Sequence, residues 1–216
     1  MFNWFKKKSK EREAAKNGQY DFKWFEIGDQ NPFNKRILDI RPFTQTIIST
    51  TSDPSVVATF NELRSSTGTK YVGQKMPGAR TTQTTLSYPH NGAPLNGIVF
   101  KSDSMDCKWD IYAYDNCFYF VRSWTGELIY KASIIITADK ISITTIEDGG
   151  KEEIIDVINN VHFLIVSHAT GWAHPHKIPA ALINEKEIAH YSFNLFGNRA
   201  CYACYEDITD TITKKT

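Results

Sequence analysis

The sequence has almost no net charge, since 25 lysines and arginines face 24 aspartates and glutamates. That balance removes any overall pull toward a phosphate backbone, and no basic stripe is long enough to track a duplex, so nucleic acid is not an expected partner. Long apolar runs are lacking as well. The nearest, residues 161–166, is about a third of what crosses a bilayer, so no membrane span is expected. Phe2, Trp4 and Phe5 precede Lys6, Lys7 and Lys8. That stretch is too short for an export signal, and its charges follow the apolar residues where a signal would put them first. Cysteine is scarce, four in 216 residues; without an export signal, four thiols suit a reducing cytoplasm better than a disulfide framework. A glycine-rich phosphate loop, a dinucleotide fingerprint, a GxSxG elbow and an HExxH pair are all missing, which removes the commonest nucleotide and hydrolase folds and leaves no cofactor expected.

What is present is core material. Apolar residues make up 41% and aromatics 13%, against 23% charged, enough to close one domain over residues 1–216 around a single core. Residues 9–17 are helix formers stopped by Asn17 and Gly18, which predicts a short leading helix, and the Thr and Lys residues from Thr209 onward predict a loose tail. Residues 35–41 and 44–50 predict two strands bent at Pro42. Asp53 and Pro54 stand where a helix takes its cap and first residue, with Val56, Phe60 and Leu63 at helical spacing behind them. Glycines and prolines then mark residues 71–97 as loop, around one strand at 81–86.

The clearest pattern follows. Residues 107–114, 117–124 and 127–136 are β-prone runs separated by Asp115 with Asn116 and by Thr125 with Gly126, and residues 141–146 add a fourth. They predict an antiparallel meander. The helix at 152–166 carries Ile154, Val157, Ile158, Val161, Leu164 and Ile165 as an apolar stripe that should cover it. Residues 171–179 predict an irregular loop and 184–196 a last helix stopped by Gly197. The expected fold class is α+β, an antiparallel β-meander sheet covered by helices on one face.

A two-residue turn at Asp115 and Asn116 sets Trp109 opposite Arg122, Ile111 opposite Phe120 and Cys107 opposite Trp124. Arg122 then lies between the rings of Trp109 and Trp124, with Asp106 and Asp110 as nearby acceptors. The stretch FVRSWTGELIY at residues 120–130, together with Trp109 and the segment NPFNKRILDIRPFTQTIISTTSD, resembles a family of bacterial proteins marked by an RSWTG signature, here residues 122–126. The resemblance implies a bacterial origin and a shared fold, and brings no activity with it. Val121 stands where that family often has a histidine, so no histidine is expected beside the arginine.

Two readings of Arg122, Ser123, Thr125 and Gly126 stand side by side. They form an anion cradle, with backbone NH groups and hydroxyls aimed at a phosphate, or a tight turn locked by aromatic packing. His168, His174 and His176 fall in one predicted loop, and two histidines flanking Pro175 in an extended stretch point the same way, as metal ligands do. No acidic third ligand is near them, so the expectation is no resident metal, with His174 and His176 exposed. His174 has no adjacent nucleophile to serve as a base. Cys201 and Cys204 form a CxxC that follows a helix stop, and Cys107 and Cys117 face opposite sides of the sheet, so the four do not assemble into a ligand set. Two functions follow as expectations. One is a non-catalytic protein-binding role of the accessory or immunity type. The other is an enzyme or binding domain for a phosphate-bearing small molecule at Arg122, Ser123, Thr125, Trp109 and Trp124, with His174 or His176.

Overall fold

The structure, a computed structural model, describes residues 20–211. The expected leading helix, the aromatic and basic residues 2–8 and the tail beyond 211 lie outside the described residues. Eleven strands and four α-helices are found among the described residues, in two compact units, residues 50–171 and residues 20–49 with 172–211. In chain order these are β1 (Lys23–Phe25), β2 (Ile37–Asp39), α1 (Arg41–Thr44), α2 (Pro54–Arg64), β3 (Arg80–Gln83), β4 (Ser87–Pro89), β5 (Gly97–Phe100) and β6 (Trp109–Tyr114). They continue with β7 (Cys117–Arg122), β8 (Leu128–Ile136), β9 (Lys140–Asp148), α3 (Ile154–Leu164), β10 (Pro175–Lys177), α4 (Glu185–Phe196) and β11 (Tyr202–Cys204).

The 50–171 unit is the meander. Its sheet runs β3-β9-β8-β7-β6-β5, with β4 also on β9, and every pair is antiparallel. Asp115 and Asn116 both adopt positive φ, 49° and 55°, the left-handed pair that a two-residue hairpin turn demands. The register is therefore Trp109 to Arg122 and Ile111 to Phe120, as the spacing predicts. One face carries Trp109, Phe120 and Tyr130, with Tyr130 stacked on Trp109 at 5.8 Å. Helix α3 closes this face: Asn160 donates to the Tyr130 hydroxyl at 3.2 Å and to Glu152 at 2.8 Å, while Tyr130 donates to Glu152 at 2.7 Å. Val157, Val161 and Leu164 are buried, whereas Ile154 in the first helical turn is exposed. A π-turn, Ile165–Ala169, extends the helix. On the opposite face Tyr112, Tyr119, Val121 and Leu128 pack with Tyr71, which belongs to a 3-10 turn, Thr69–Tyr71.

The second unit is a four-stranded sheet in the order β1-β2-β11-β10, in which β10 and β11 run parallel and the other pairs antiparallel. Helix α4 starts where Asn184 accepts from the amides of Lys186 and Glu187, and stops at Gly197 with φ 69°. The second of the two strands expected around Pro42 is absent. Proline sits in the first turn of a helix because its missing N–H has no partner there to lose. Asp39 accepts from the Arg41 amide at 3.0 Å and starts α1 instead. Likewise residues 171–179, expected as loop, contain β10, and the CxxC lies on and just before β11. Among the described residues no helix is long and apolar enough to cross a membrane.

Candidate functional site

The RSWTG segment occupies the β7–β8 connection. Arg122 ends β7, its amide donating to Glu127 O at 2.9 Å, and the Gly126 amide returns to Arg122 O at 2.8 Å. Gly126 has φ +68°, and a Cβ there would stand 3.1 Å from Leu63, so the turn needs glycine for both reasons. The Ser123 hydroxyl, buried, donates to Cys107 O at 2.7 Å, and the Ser123 amide donates to Lys108 O at 3.1 Å. The Trp124 indole donates to Met105 O at 2.9 Å. Thr125 Oγ1 accepts from the Glu127 amide at 3.3 Å, and Gly126 O accepts from the Tyr71 hydroxyl at 3.0 Å. Each of these polar groups is thus engaged in joining the turn to residues 105–108, to Tyr71 or to itself.

The guanidinium of Arg122 lies 4.9 Å from the centre of the Trp109 ring, as the register predicts. The ring of Trp124 carries a different cation: Lys108 Nζ sits 4.2 Å above it and donates to Met105 O at 2.9 Å. Cys107 does not pair with Trp124 along a ladder, because β7 ends at Arg122 and Trp124 turns with the loop. Burial pushes the Lys108 ammonium down to about 8, with the charge of Arg122 adding to the effect and Asp106 opposing it. Burial also lowers Arg122. Lys108 is the residue that the sequence pattern passes over. Its signal is its position one residue before β6, facing Ser123 across the strand pair.

Asp110, expected as an acceptor for Arg122, serves another cation. It alternates to the far face of β6, where its carboxylate accepts from Lys101 at 2.7 Å and from the Ser102 amide and hydroxyl, both at 2.8 Å. Lys101 also donates to Leu63 O and to the Tyr112 hydroxyl, each at 2.6 Å. Burial pushes Tyr71 up to about 12, with the Asp110 charge adding to it, and raises Tyr112 further.

The histidines are not the exposed loop cluster that was expected. His168 lies in the π-turn of the 50–171 unit, where its Nδ1 is 2.7 Å from Ser167 Oγ. His174 and His176 belong to the other unit and both are buried, because the segment around Pro175 joins a sheet as β10. His174 meets Phe33 edge-on at 6.1 Å, and His176 Nε2 is 2.7 Å from Ser192 Oγ. Among the described residues no three His, Cys, Asp or Glu side chains gather as a metal site would require. Burial raises both Cys201 and Cys204, the latter to about 11, which keeps them as thiols of low reactivity.

Comparison with protein-family models, with curated proteins and with solved structures returned no match.

Proposed function

We propose that this is a non-catalytic bacterial cytosolic protein that works by binding another protein, in the manner of an accessory or immunity-type partner. The observation that carries the reading is Trp172, which is 66% exposed, whereas the other tryptophans among the described residues are buried or half-buried. Tryptophan is the residue most enriched at binding hot spots, since a rigid apolar ring held in water gains most from being covered. Ile183, in the same unit, is also exposed. The interior chemistry supports the same reading. Ser123 and Ser192 are spent on buried hydrogen bonds, Tyr88 and His162 on a part-buried one with each other, and the CxxC thiols stay protonated.

The test is a partner recovered with the intact chain, identified and purified, and its affinity measured by calorimetry beside a screen of esterase, phosphatase, nuclease and peptidase substrates. Trp172→Ala should weaken the complex by about 2 kcal/mol or more, the scale of a hot-spot truncation, and leave thermal stability unchanged. Saturable turnover on any of those substrates, with no partner recovered, would replace this reading with an enzymatic one.

A further inference from the structure

We propose that Asn91 is a self-modifying site, at which His90 is the base that drives the Asn91–Gly92 pair to a succinimide and on to aspartate or isoaspartate. The loop between β4 and β5 brings an electrophile, a nucleophile and a base together. The Gly92 amide donates to His90 Nδ1 at 3.1 Å, and Asn91 Oδ1 accepts from the Ala93 amide at 3.1 Å. A backbone amide only donates, so His90 Nδ1 offers its lone pair and the neutral ring keeps its proton on Nε2. The nitrogen that attacks is thereby already bonded to the group that takes its proton. The oxygen that gains negative charge in the attack is likewise bonded to an N–H.

The turn that joins β8 to β9 holds this arrangement in place. The His90 amide donates to Asp139 O at 2.9 Å, and Thr137 Oγ1 donates to Asp139 Oδ1 at 2.8 Å. Gly92 has φ +77°, and a Cβ there would stand 3.0 Å from Ala138 Cα and 3.1 Å from Thr137 O. Glycine is therefore required, and it leaves the attacking nitrogen without a side chain beside it. Asn91 is exposed, so ammonia leaves and water enters freely. The second Asn–Gly pair among the described residues, Asn96–Gly97, sits differently, because Gly97 opens β5 opposite Ala113.

The atoms balance. Gly92 N bonds to Asn91 Cγ as its proton passes to His90 Nδ1, and the tetrahedral centre then expels the side-chain nitrogen, which leaves as ammonia with the proton His90 returns. Water opens the succinimide at either carbonyl. Both products place a new carboxylate on the loop, and the isoaspartyl one also adds a methylene to the main chain. The net change is amide plus water to carboxylic acid plus ammonia, with no other reactant.

The test is incubation of the intact folded protein near neutral pH, with peptide mapping of positions 91 and 96 and isoaspartate quantified at each. Asn91 should lose ammonia faster than Asn96, and faster in the folded protein than in the same chain held unfolded in urea. His90→Asn keeps an acceptor for the Gly92 amide and removes the base. It should slow the reaction at Asn91 about tenfold or more, since a positioned base contributes about a hundredfold or beyond when fully aligned, and leave Asn96 unchanged. An Asn91 no faster than Asn96, or an undiminished rate in His90→Asn, overturns the proposal. If that variant fails to fold, the natural protein decides alone, and a folded rate at Asn91 equal to or below the unfolded one overturns it.

Discussion

Replacing Asp110 with alanine is expected to destabilise the 50–171 unit by about 3–5 kcal/mol, the cost of breaking one side of a buried ion pair. The carboxylate is 2% exposed and anchors Lys101, the Ser102 amide and the Ser102 hydroxyl at once. Its removal leaves an ammonium, 19% exposed, with only Leu63 O and the Tyr112 hydroxyl among its named partners. Removing both charges, as in Asp110→Ala with Lys101→Met, should recover part of the loss, because a buried pair replaced by apolar volume costs far less than a stranded charge. Urea unfolding of the single and double variants measures the difference. Equal losses in the two would show that the pair is not the source.

Gly68→Ala is the second large effect, about 3 kcal/mol or more, from two causes that add. Gly68 has φ +84°, where a residue with a Cβ is strained by about 1–2 kcal/mol. That Cβ would also stand 2.3 Å from the Tyr112 ring. Overpacking of this kind costs about 1–3 kcal/mol when the neighbour is unable to move. Tyr112 is such a neighbour, since its hydroxyl is held by Lys101 and Asp110 and its ring stacks on Tyr71 at 5.8 Å. Thermal unfolding of Gly68→Ala beside Gly73→Ala separates the causes. Gly73 shares the positive φ and has open space around it, so its loss should be the backbone part alone.

The parts of the fold legible in the sequence are those whose information is local. Asp115 and Asn116 name their own turn, and the alternation on either side then fixes Trp109 against Arg122 without further knowledge. Asn184 and Gly197 similarly bracket α4 by cap chemistry. The parts that were not legible depend on partners far along the chain. β10 and β11 are three residues each, too short to alternate, and exist because they pair with one another across 24 or more intervening residues. β5 pairs with its neighbour β6 and was not legible for a local reason, since it is four residues long and its pairing is interrupted by a register shift between Ile98 and Phe100. A histidine beside proline reads as a solvated loop residue until the strand forms, and only then does His176 reach Ser192. At the candidate site, Trp109 with Arg122 was readable from register, whereas Lys108 on Trp124 was not, because the β7–β8 connection leaves the ladder after Arg122.

The central claim is that Ser123 and its neighbours in the RSWTG segment are a structural turn, and chemical denaturation of Ser123→Ala and the natural protein, each with and without millimolar inorganic phosphate, tests it most directly. The Ser123 hydroxyl is committed to Cys107 O, so its loss removes a buried hydrogen bond and should cost about 0.5–1.5 kcal/mol. Phosphate should leave both midpoints where they are. A variant as stable as the natural protein, together with a natural protein stabilised by phosphate as a bound ligand requires, would contradict the account.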